Sequence, residues 1–265
     1  KRDARVFMAE LVQADPRSPA AAEIQFRLGR RLYEQKDCAG AVKELERFSI
    51  DYTGHPSLAK AQLFLGECYV QQQKPTEAAA AFERFTINYP QAEDVPLALF
   101  RLGSAYFSLK QYGKSISAYE RLIAESPKSE YLKPARFNLA LAYRSDGQLD
   151  QAAATYAGYI GSGVGEEEAQ NARWEIFAIE KARRDYAGAL KTLAAIRAKA
   201  KPGSESDLNA AYQVGEIAAS SGDAEATRRS WEAVIALRPA DSPYRLQALV
   251  KLGAIYEKAS SWAKA

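Results

Sequence analysis

Hydrophobic and polar positions along the chain follow a repeating helical pattern. A Leu-Gly pair, or a close variant of it, recurs every 37 or 38 residues. We call the second residue of each pair the anchor, and the anchors are Gly29, Gly66, Gly103, Ala140, Phe177, Gly215 and Gly253. Apolar residues near each anchor are three or four positions apart, which places them on one helix face. The spacing therefore predicts a first helix at each anchor, then a polar turn and a second amphipathic helix.

Other positions repeat with the same period. Tyrosine recurs three residues after four anchors, as Tyr69, Tyr106, Tyr143 and Tyr256. Small residues come twelve after the anchor, at Ala41, Ala78, Ser115, Ala152, Ala189, Thr227 and Ala265. Large residues come sixteen after it, at Leu45, Phe82, Tyr119, Tyr156, Leu193 and Trp231, and nineteen after it, at Phe48, Phe85, Leu122, Tyr159, Ile196 and Val234. Proline cannot continue a helix, so the prolines twenty-four after three anchors predict where second helices end: Pro90, Pro127 and Pro239.

This pattern resembles the tetratricopeptide repeat family. The match is close in the second repeat, which holds Leu63, Leu65, Gly66, Tyr69, Ala78, Phe82 and Pro90. The resemblance implies an all-α fold, a right-handed superhelical solenoid of stacked antiparallel helix hairpins whose first helices line the concave surface. A single hairpin is too small to bury its own apolar face, so stacking supplies the burial. The repeat at Phe177 departs most, because Phe177 replaces a small anchor and Glu180 replaces the tyrosine.

The repeat period is longer than the usual length of about 34 residues. The extra residues fall in the link after the proline, as in residues 89–96. This link resembles a subgroup that includes two bacterial envelope proteins, the outer-membrane assembly lipoprotein and the periplasmic coordinator of the Tol–Pal system. That resemblance implies a periplasmic or cell-envelope location, and a cytoplasmic location is the alternative.

The repeat register and a glycine-rich link at residues 158–165 predict how the chain is divided. Residues 1–160 are expected to hold the second helix of a leading repeat and about four hairpins. Residues 166–265 are expected to hold two hairpins and the first helix of a further repeat. The register continues to both ends, through Ala4, Met8, Leu11 and Pro16 at one end and Ala265 at the other. We therefore expect the natural protein to be longer in at least one direction. Residues 161–165 could form a hinge, although a loop that adjusts the stacking angle is the favoured interpretation.

Composition and charge narrow the function classes. The chain is 47% hydrophobic and 26% charged, which are values of an ordinary globular protein. It holds 36 Lys and Arg against 33 Asp and Glu, too even a balance for a dedicated nucleic-acid binder. The basic pairs Arg183-Arg184 and Arg228-Arg229 are expected on solvated helix faces. No apolar run approaches the ~18 residues of a membrane-spanning helix.

Few residues carry the chemistry of a catalytic or metal site. The single histidine, His55, lies in a predicted turn and rules out sites that need two histidines. Residues 161–165 lack the Lys-Ser/Thr of a phosphate-binding loop. Cys38 and Cys68 are expected to pack as small hydrophobic residues, and a disulfide between them is the less favoured alternative. We therefore predict no enzymatic activity, no cofactor and no metal.

The resemblance implies a partner-binding groove along the first helices. Three residues before the anchors lies a mostly aromatic column that includes Phe26, Phe100, Phe137, Trp174 and Tyr212. Core packing between hairpins is the favoured interpretation of this column, and stacking on a bound peptide is the other. Further groove positions lie six before, one after and four after the anchors, and they include Arg30, Tyr33, Phe107, Leu141, Arg144, Asn171, Lys181 and Asn209. The predicted ligand is an extended peptide or an amphipathic helix of another protein.

Two functions from different classes remain open at this point. The first is a non-enzymatic interaction scaffold or adaptor in a bacterial envelope assembly. The alternative is a regulatory or substrate-recruiting domain of a larger enzyme. A nucleic-acid-associated helical repeat is a third and weaker hypothesis, because acidic residues surround both arginine pairs.

Overall fold

The computed structural model describes residues 18–237 and 242–262, which form thirteen helices and no strand. The first helices, which carry the anchors, are α1 (Pro19–Glu34), α3 (Leu58–Gln71), α5 (Val95–Ser108), α7 (Leu132–Ser145), α9 (Glu166–Ala182), α11 (Glu205–Ser221) and α13 (Pro243–Trp262). The second helices are α2 (Cys38–Asp51), α4 (Pro75–Asn88), α6 (Tyr112–Glu125), α8 (Leu149–Gly161), α10 (Tyr186–Lys199) and α12 (Ala224–Ala236). The predicted all-α fold is confirmed.

The chain forms two compact units. The N-terminal unit is Lys1–Gln148 and the C-terminal unit is Leu149–Ala265. Within each unit, every described helix packs against the next one along the chain, so that helical hairpins stack in sequence order. First helices of neighbouring hairpins also contact each other directly, as α1 does with α3 and α5 with α7. Each unit is therefore a stack of hairpins with the first helices in one layer.

The anchor glycines allow the two helices of a hairpin to approach closely. A Cβ atom at Gly66 would lie 2.6 Å from the ring of Phe82, and one at Gly103 would lie 2.7 Å from the ring of Tyr119. At Gly215 the same atom would lie 2.4 Å from the ring of Trp231. No real Cβ atom fits at such distances, so the two helices can lie this close only because the anchor has no side chain.

Phe177 shows how the chain builds a hairpin without a small anchor. Its side chain is buried, and it belongs to the same apolar cluster as Leu193, the residue sixteen positions later. Leu193 is smaller than the rings of Phe82, Tyr119, Tyr156 and Trp231 at the same position, but Leu45 shows that leucine also occurs there beside a glycine anchor. A leucine at this position therefore accompanies both a small and a large anchor.

The predicted core columns are buried. Every residue twelve, sixteen and nineteen after its anchor is buried wherever the structure describes it. Ser115 fits the small column because its hydroxyl donates to the carbonyl oxygen of Gly103 at 2.8 Å. One continuous apolar cluster fills the N-terminal unit, and separate clusters in the C-terminal unit surround Leu193 and Trp231.

The turns that follow the first helices have one backbone conformation in common. The residue seven after the anchor is left-handed at six described turns, at Lys36, Gln73, Lys110, Gly147, Arg184 and Gly222. Glycine adopts this conformation without steric cost, whereas lysine, glutamine and arginine do not.

The links between hairpins agree in part with the predictions made from the sequence. Pro90 and Pro127 each follow the residue that caps a second helix, as predicted. Residues 158–161, assigned to a link from their glycines, are instead helical, because Tyr159 is buried in the core and extends α8 to Gly161. After the shorter link, the amide of Gly165 donates to Glu168 at 2.7 Å at the start of α9.

Two of the sequence predictions stay predictions: the hinge at residues 161–165, and the division of the chain into residues 1–160 and 166–265. Six of the predicted register residues lie outside the described residues: Ala4, Met8, Leu11, Pro16, Pro239 and Ala265.

Substitution of an anchor glycine tests the close contact. Gly215→Ala should lower the free energy of unfolding by about 1–3 kcal/mol, because the new methyl group would overlap the buried Trp231 ring. Gly253→Ala is the matched control, since a Cβ there meets nothing within 4 Å. The control should gain about 0.5–1 kcal/mol from better helix propensity. Urea denaturation of both variants gives the comparison, and equal effects of the two substitutions would contradict it.

Candidate functional site

The first helices of each unit present one continuous surface, which we call the first-helix face. It consists of the side chains two and six positions before the anchors and one and four positions after them. The predicted groove residues lie on five first helices: α1, α5 and α7 in the N-terminal unit, and α9 and α11 in the C-terminal unit. The face is therefore described for each unit by itself.

In the N-terminal unit, most predicted groove residues are accessible. Arg30 is exposed and its Nε donates to Glu34 at 2.8 Å. Phe26 is buried, where it packs 5.5 Å from Phe48 between ring centroids. The remaining ones are half-buried: Tyr33, Phe100, Phe107, Phe137, Leu141 and Arg144.

In the C-terminal unit, Tyr212 is the buried member of the predicted set. Its ring packs 5.1 Å from that of Trp231. Asn171 and Lys181 are exposed, while Trp174 and Asn209 are half-buried. The core interpretation of the aromatic column is confirmed at Phe26 and Tyr212, so neither side chain is available on the surface. The binding role of the whole predicted set stays a prediction.

The structure adds a column that the sequence analysis missed. The side chains of residues two positions before the anchors contact the preceding first helix. Phe64 stacks on Tyr33 with ring centroids 4.6 Å apart. Arg101 donates to Glu67 through two nitrogens, at 2.7 and 3.1 Å. In the C-terminal unit, Lys181 donates to Gln213 at 2.8 Å. These contacts tie neighbouring first helices together along the face.

A second set of contacts joins each first helix to the second helix before it. The tyrosine three after an anchor donates to a glutamate in the preceding hairpin. The pairs are Tyr69 with Glu46, Tyr106 with Glu83, Tyr143 with Glu120, and Tyr256 with Glu232. We call this set the tyrosine–glutamate pairs. All four glutamates lie seventeen residues after an anchor, so the period itself could have identified them.

These pairs change the titration of the tyrosines. Burial, together with the hydrogen bond to Glu83, raises the pKa of Tyr106 to about 12. Burial and the bond to Glu120 raise the pKa of Tyr143 to about 12 in the same way. Both effects disfavour the negatively charged phenolate form.

One of the three repeats that lack this tyrosine places a titratable carboxyl at the same position. Glu180 is half-buried, and burial raises the pKa of its carboxyl. The hydrogen bond with Thr192 and the charge of Lys191 act in the opposite direction, while Asp185 adds to the increase. The position thus holds a polar group against a hairpin core where four other repeats hold a tyrosine ring.

Charge is distributed unevenly between the helix layers. The first helices of the N-terminal unit carry eight basic residues, Arg27, Arg30, Arg31, Lys60, Arg101, Lys133, Arg136 and Arg144, and three acidic ones, Glu23, Glu34 and Glu67. In the C-terminal unit, the first helices carry five basic residues, Arg173, Lys181, Arg245, Lys251 and Lys258, and nine acidic ones, Glu166, Glu167, Glu168, Glu175, Glu180, Glu205, Asp207, Glu216 and Glu257. The layer is therefore basic in one unit and acidic in the other.

Groups with reactive chemistry are engaged in packing. Cys38 and Cys68 are buried and not disulfide-bonded, and the Cys38 thiol donates to Gln71 at 3.2 Å. His55 is half-buried rather than fully exposed in its turn; its Nδ1 accepts from the amide of Ser57 at 3.1 Å. Across the described part of the chain, no three His, Cys, Asp or Glu side chains converge to hold a metal. None of the described helices combines the length and the apolar character needed to cross a membrane.

Comparison with known families identifies the repeat. Two tetratricopeptide repeat models match the sequence, one over residues 26–93 and the other over residues 97–129 and 134–162. The predicted repeats are confirmed over these segments. The narrower likeness to envelope proteins stays a prediction. A search of curated protein sequences finds no match.

Solved structures share the fold at low sequence identity. YrrB, described as a TPR protein with an unusual peptide-binding site, has a TM-score of 0.55 and 16% identity, over 71% of this chain and 89% of YrrB. MamA has a TM-score of 0.53 and 22% identity, over 62% of this chain and 90% of MamA. MamA from Desulfovibrio magneticus RS-1 has a TM-score of 0.53 and 16% identity, over 65% of this chain and 91% of that protein. At this identity the likeness concerns the fold alone.

The tyrosine–glutamate pairs predict a loss of stability at alkaline pH. An unfolded tyrosine has a pKa near 10, below the value of about 12 for Tyr106 and Tyr143. Their contribution is therefore complete below pH 10 and is lost as pH rises through 12. Tyr106→Phe/Tyr143→Phe should reduce this decline, and at neutral pH it should cost about 0.5–1.5 kcal/mol per lost hydrogen bond.

Urea denaturation at several pH values between 8 and 12 measures this effect. Ultraviolet titration of the tyrosinate band provides an independent reading of the two groups. An unchanged alkaline slope in the double variant would show that other groups control it.

Proposed function

Since residues 26–93, 97–129 and 134–162 are tetratricopeptide repeats, we propose that the chain is a non-enzymatic scaffold or adaptor. Its first-helix face binds an extended peptide or an amphipathic helix of a partner protein. Repeat arrays of this type typically use such extended surfaces for protein recognition. YrrB, which has the same fold, is described as having a peptide-binding site, and this supports the proposal.

The observation that carries the proposal is the apolar strip on the N-terminal unit's first-helix face. Tyr33 and Phe64 stack on each other and remain partly exposed. Val70 and Phe107 continue the strip on α3 and α5, and Val70 is 38% exposed. Partly exposed aromatic and aliphatic residues among arginines are typical of residues that anchor a partner.

The opposite layer of the same unit does not offer a comparable strip. Ile50 and Ile87 on α2 and α4 are well exposed at equivalent positions of two repeats, but the equivalent residue of α6 is Ala124, so no third large side chain extends the pair. Exposed apolar residues in such small numbers are normal on a protein surface. The first-helix layer is therefore the better candidate for the binding surface.

We also propose that the scaffold works in a multi-protein assembly of the bacterial cell envelope, on its periplasmic side. The support is the long proline-closed link between repeats, as in residues 89–96. The predicted groove residues Arg144, Lys181 and Asn209 would border the bound segment in their respective units.

A matched pair of variants tests the binding surface. Val70→Glu places a charge on the first-helix face, whereas Ile87→Glu makes the same change on α4, where the side chain is 66% exposed. With the chain as bait in extracts of the native cells, Val70→Glu should lose the proteins that wild type captures, and Ile87→Glu should retain them. Circular dichroism verifies that both variants fold. Loss by Ile87→Glu alone would move the site to the second-helix layer.

Cell fractionation tests the location separately. The natural protein, detected with an antibody raised against this chain, should be found in the periplasmic or membrane fractions. Recovery with cytosolic markers would contradict the envelope proposal and leave the binding surface unaffected.

A further inference from the structure

A cavity of about 310 Å³ opens beside the apolar strip, between the C-terminal end of α3 and the side of α5. Ligand pockets range from about 300 to 1,000 Å³, so this volume is at the lower end. It suits one side chain and the adjoining backbone of a bound segment. The residues that matter for its chemistry are Val70, Lys74, Pro75, Ala78, Arg101 and Ser104.

The floor of the cavity is apolar and its edge is basic. Val70 and Pro75 supply accessible apolar surface, and the buried Ala78 is also among the lining residues. Lys74 is exposed just before α4 and has no carboxylate partner among the described residues. Arg101 holds Glu67 at 2.7 Å, and Glu67 does not line the cavity. Among the lining residues that the structure describes, none is acidic.

The surroundings extend this basic character. Helices α5 and α7 together carry Arg101, Lys133, Arg136 and Arg144 and no Asp or Glu. The second helices of the same unit carry five basic and seven acidic residues. A negatively charged segment is therefore attracted to the first-helix layer and not to the other, since complementary charge speeds encounter and selects partners.

We infer that this cavity takes an apolar side chain from a partner segment in which an adjacent residue is acidic. The apolar side chain fills the space against Val70 and Ala78, and the carboxylate lies against Lys74 and Arg101. The inference rests on the proposed function and adds the chemistry of the segment to it. Hydrogen bonds from lysine and arginine to a carboxylate are among the stronger polar contacts in proteins.

Selection from a random peptide library tests this inference directly. The full chain is immobilised, and phage-displayed twelve-residue peptides are selected on it. The enriched peptides should share a Leu, Ile, Met or Phe within two residues of an Asp or Glu. A synthetic peptide of the consensus sequence, labelled with fluorescein, then gives the dissociation constant by anisotropy.

Two charge-reversal variants locate the site. Lys74→Glu should weaken the consensus peptide about five- to tenfold, because it reverses the exposed charge at the edge of the cavity. Lys43→Glu is the matched control: the same change of net charge on the exposed surface of α2, in the other layer. The control should leave the affinity unchanged, and raising the salt concentration should weaken binding to wild type.

The outcomes separate the inference from the proposed function. Enrichment of peptides without acidic residues, or equal affinities of the two variants, would overturn the inference while peptide binding itself stands. Failure to enrich any peptide would overturn the proposed function as well. An acidic consensus whose affinity falls in Lys74→Glu and not in Lys43→Glu supports both.

Discussion

The close contact between an anchor without a side chain and the large residue sixteen positions later determines the rest of the structure. It fixes how near the two helices of a hairpin lie, and stacking of these hairpins then buries the remaining columns. Gly66 against Phe82 and Gly215 against Trp231 are the same contact in different units. Where Phe177 replaces the glycine, the residue sixteen positions later is Leu193, and both are buried in one cluster. The hairpins thus keep these two positions buried although the residues differ.

The fold could be predicted from sequence because its core columns repeat with a constant chemistry. The extent of α8 could not, since the glycines at 158 and 161 suggested a link, whereas burial of Tyr159 kept the helix intact. The column two before the anchors was missed because its members, such as Phe64 and Arg101, have no chemistry in common. Their shared role is visible only when a neighbouring first helix provides each with a different partner.

Core columns and surface columns therefore differ in the range of residues that they accept. A core position must pack against its neighbours in every hairpin, so the columns twelve, sixteen and nineteen after the anchors stay buried in all described repeats. A position on the first-helix face needs only a compatible residue on the adjacent helix, as Glu67 and Arg101 or Tyr33 and Phe64 provide. This freedom allows the basic layer of the N-terminal unit and the acidic layer of the C-terminal unit to exist on the same type of hairpin.

The left-handed turns contain positions at which a substitution would raise the thermal stability of the chain. Lys36, Lys110 and Arg184 each hold a backbone conformation that costs an ordinary residue roughly 1–2 kcal/mol, while Gly147 and Gly222 hold it without that cost. Natural proteins commonly retain such suboptimal positions. Glycine at these three turns would yield a more thermostable scaffold, and since none of them belongs to the first-helix face, its recognition properties would carry over to an engineered form.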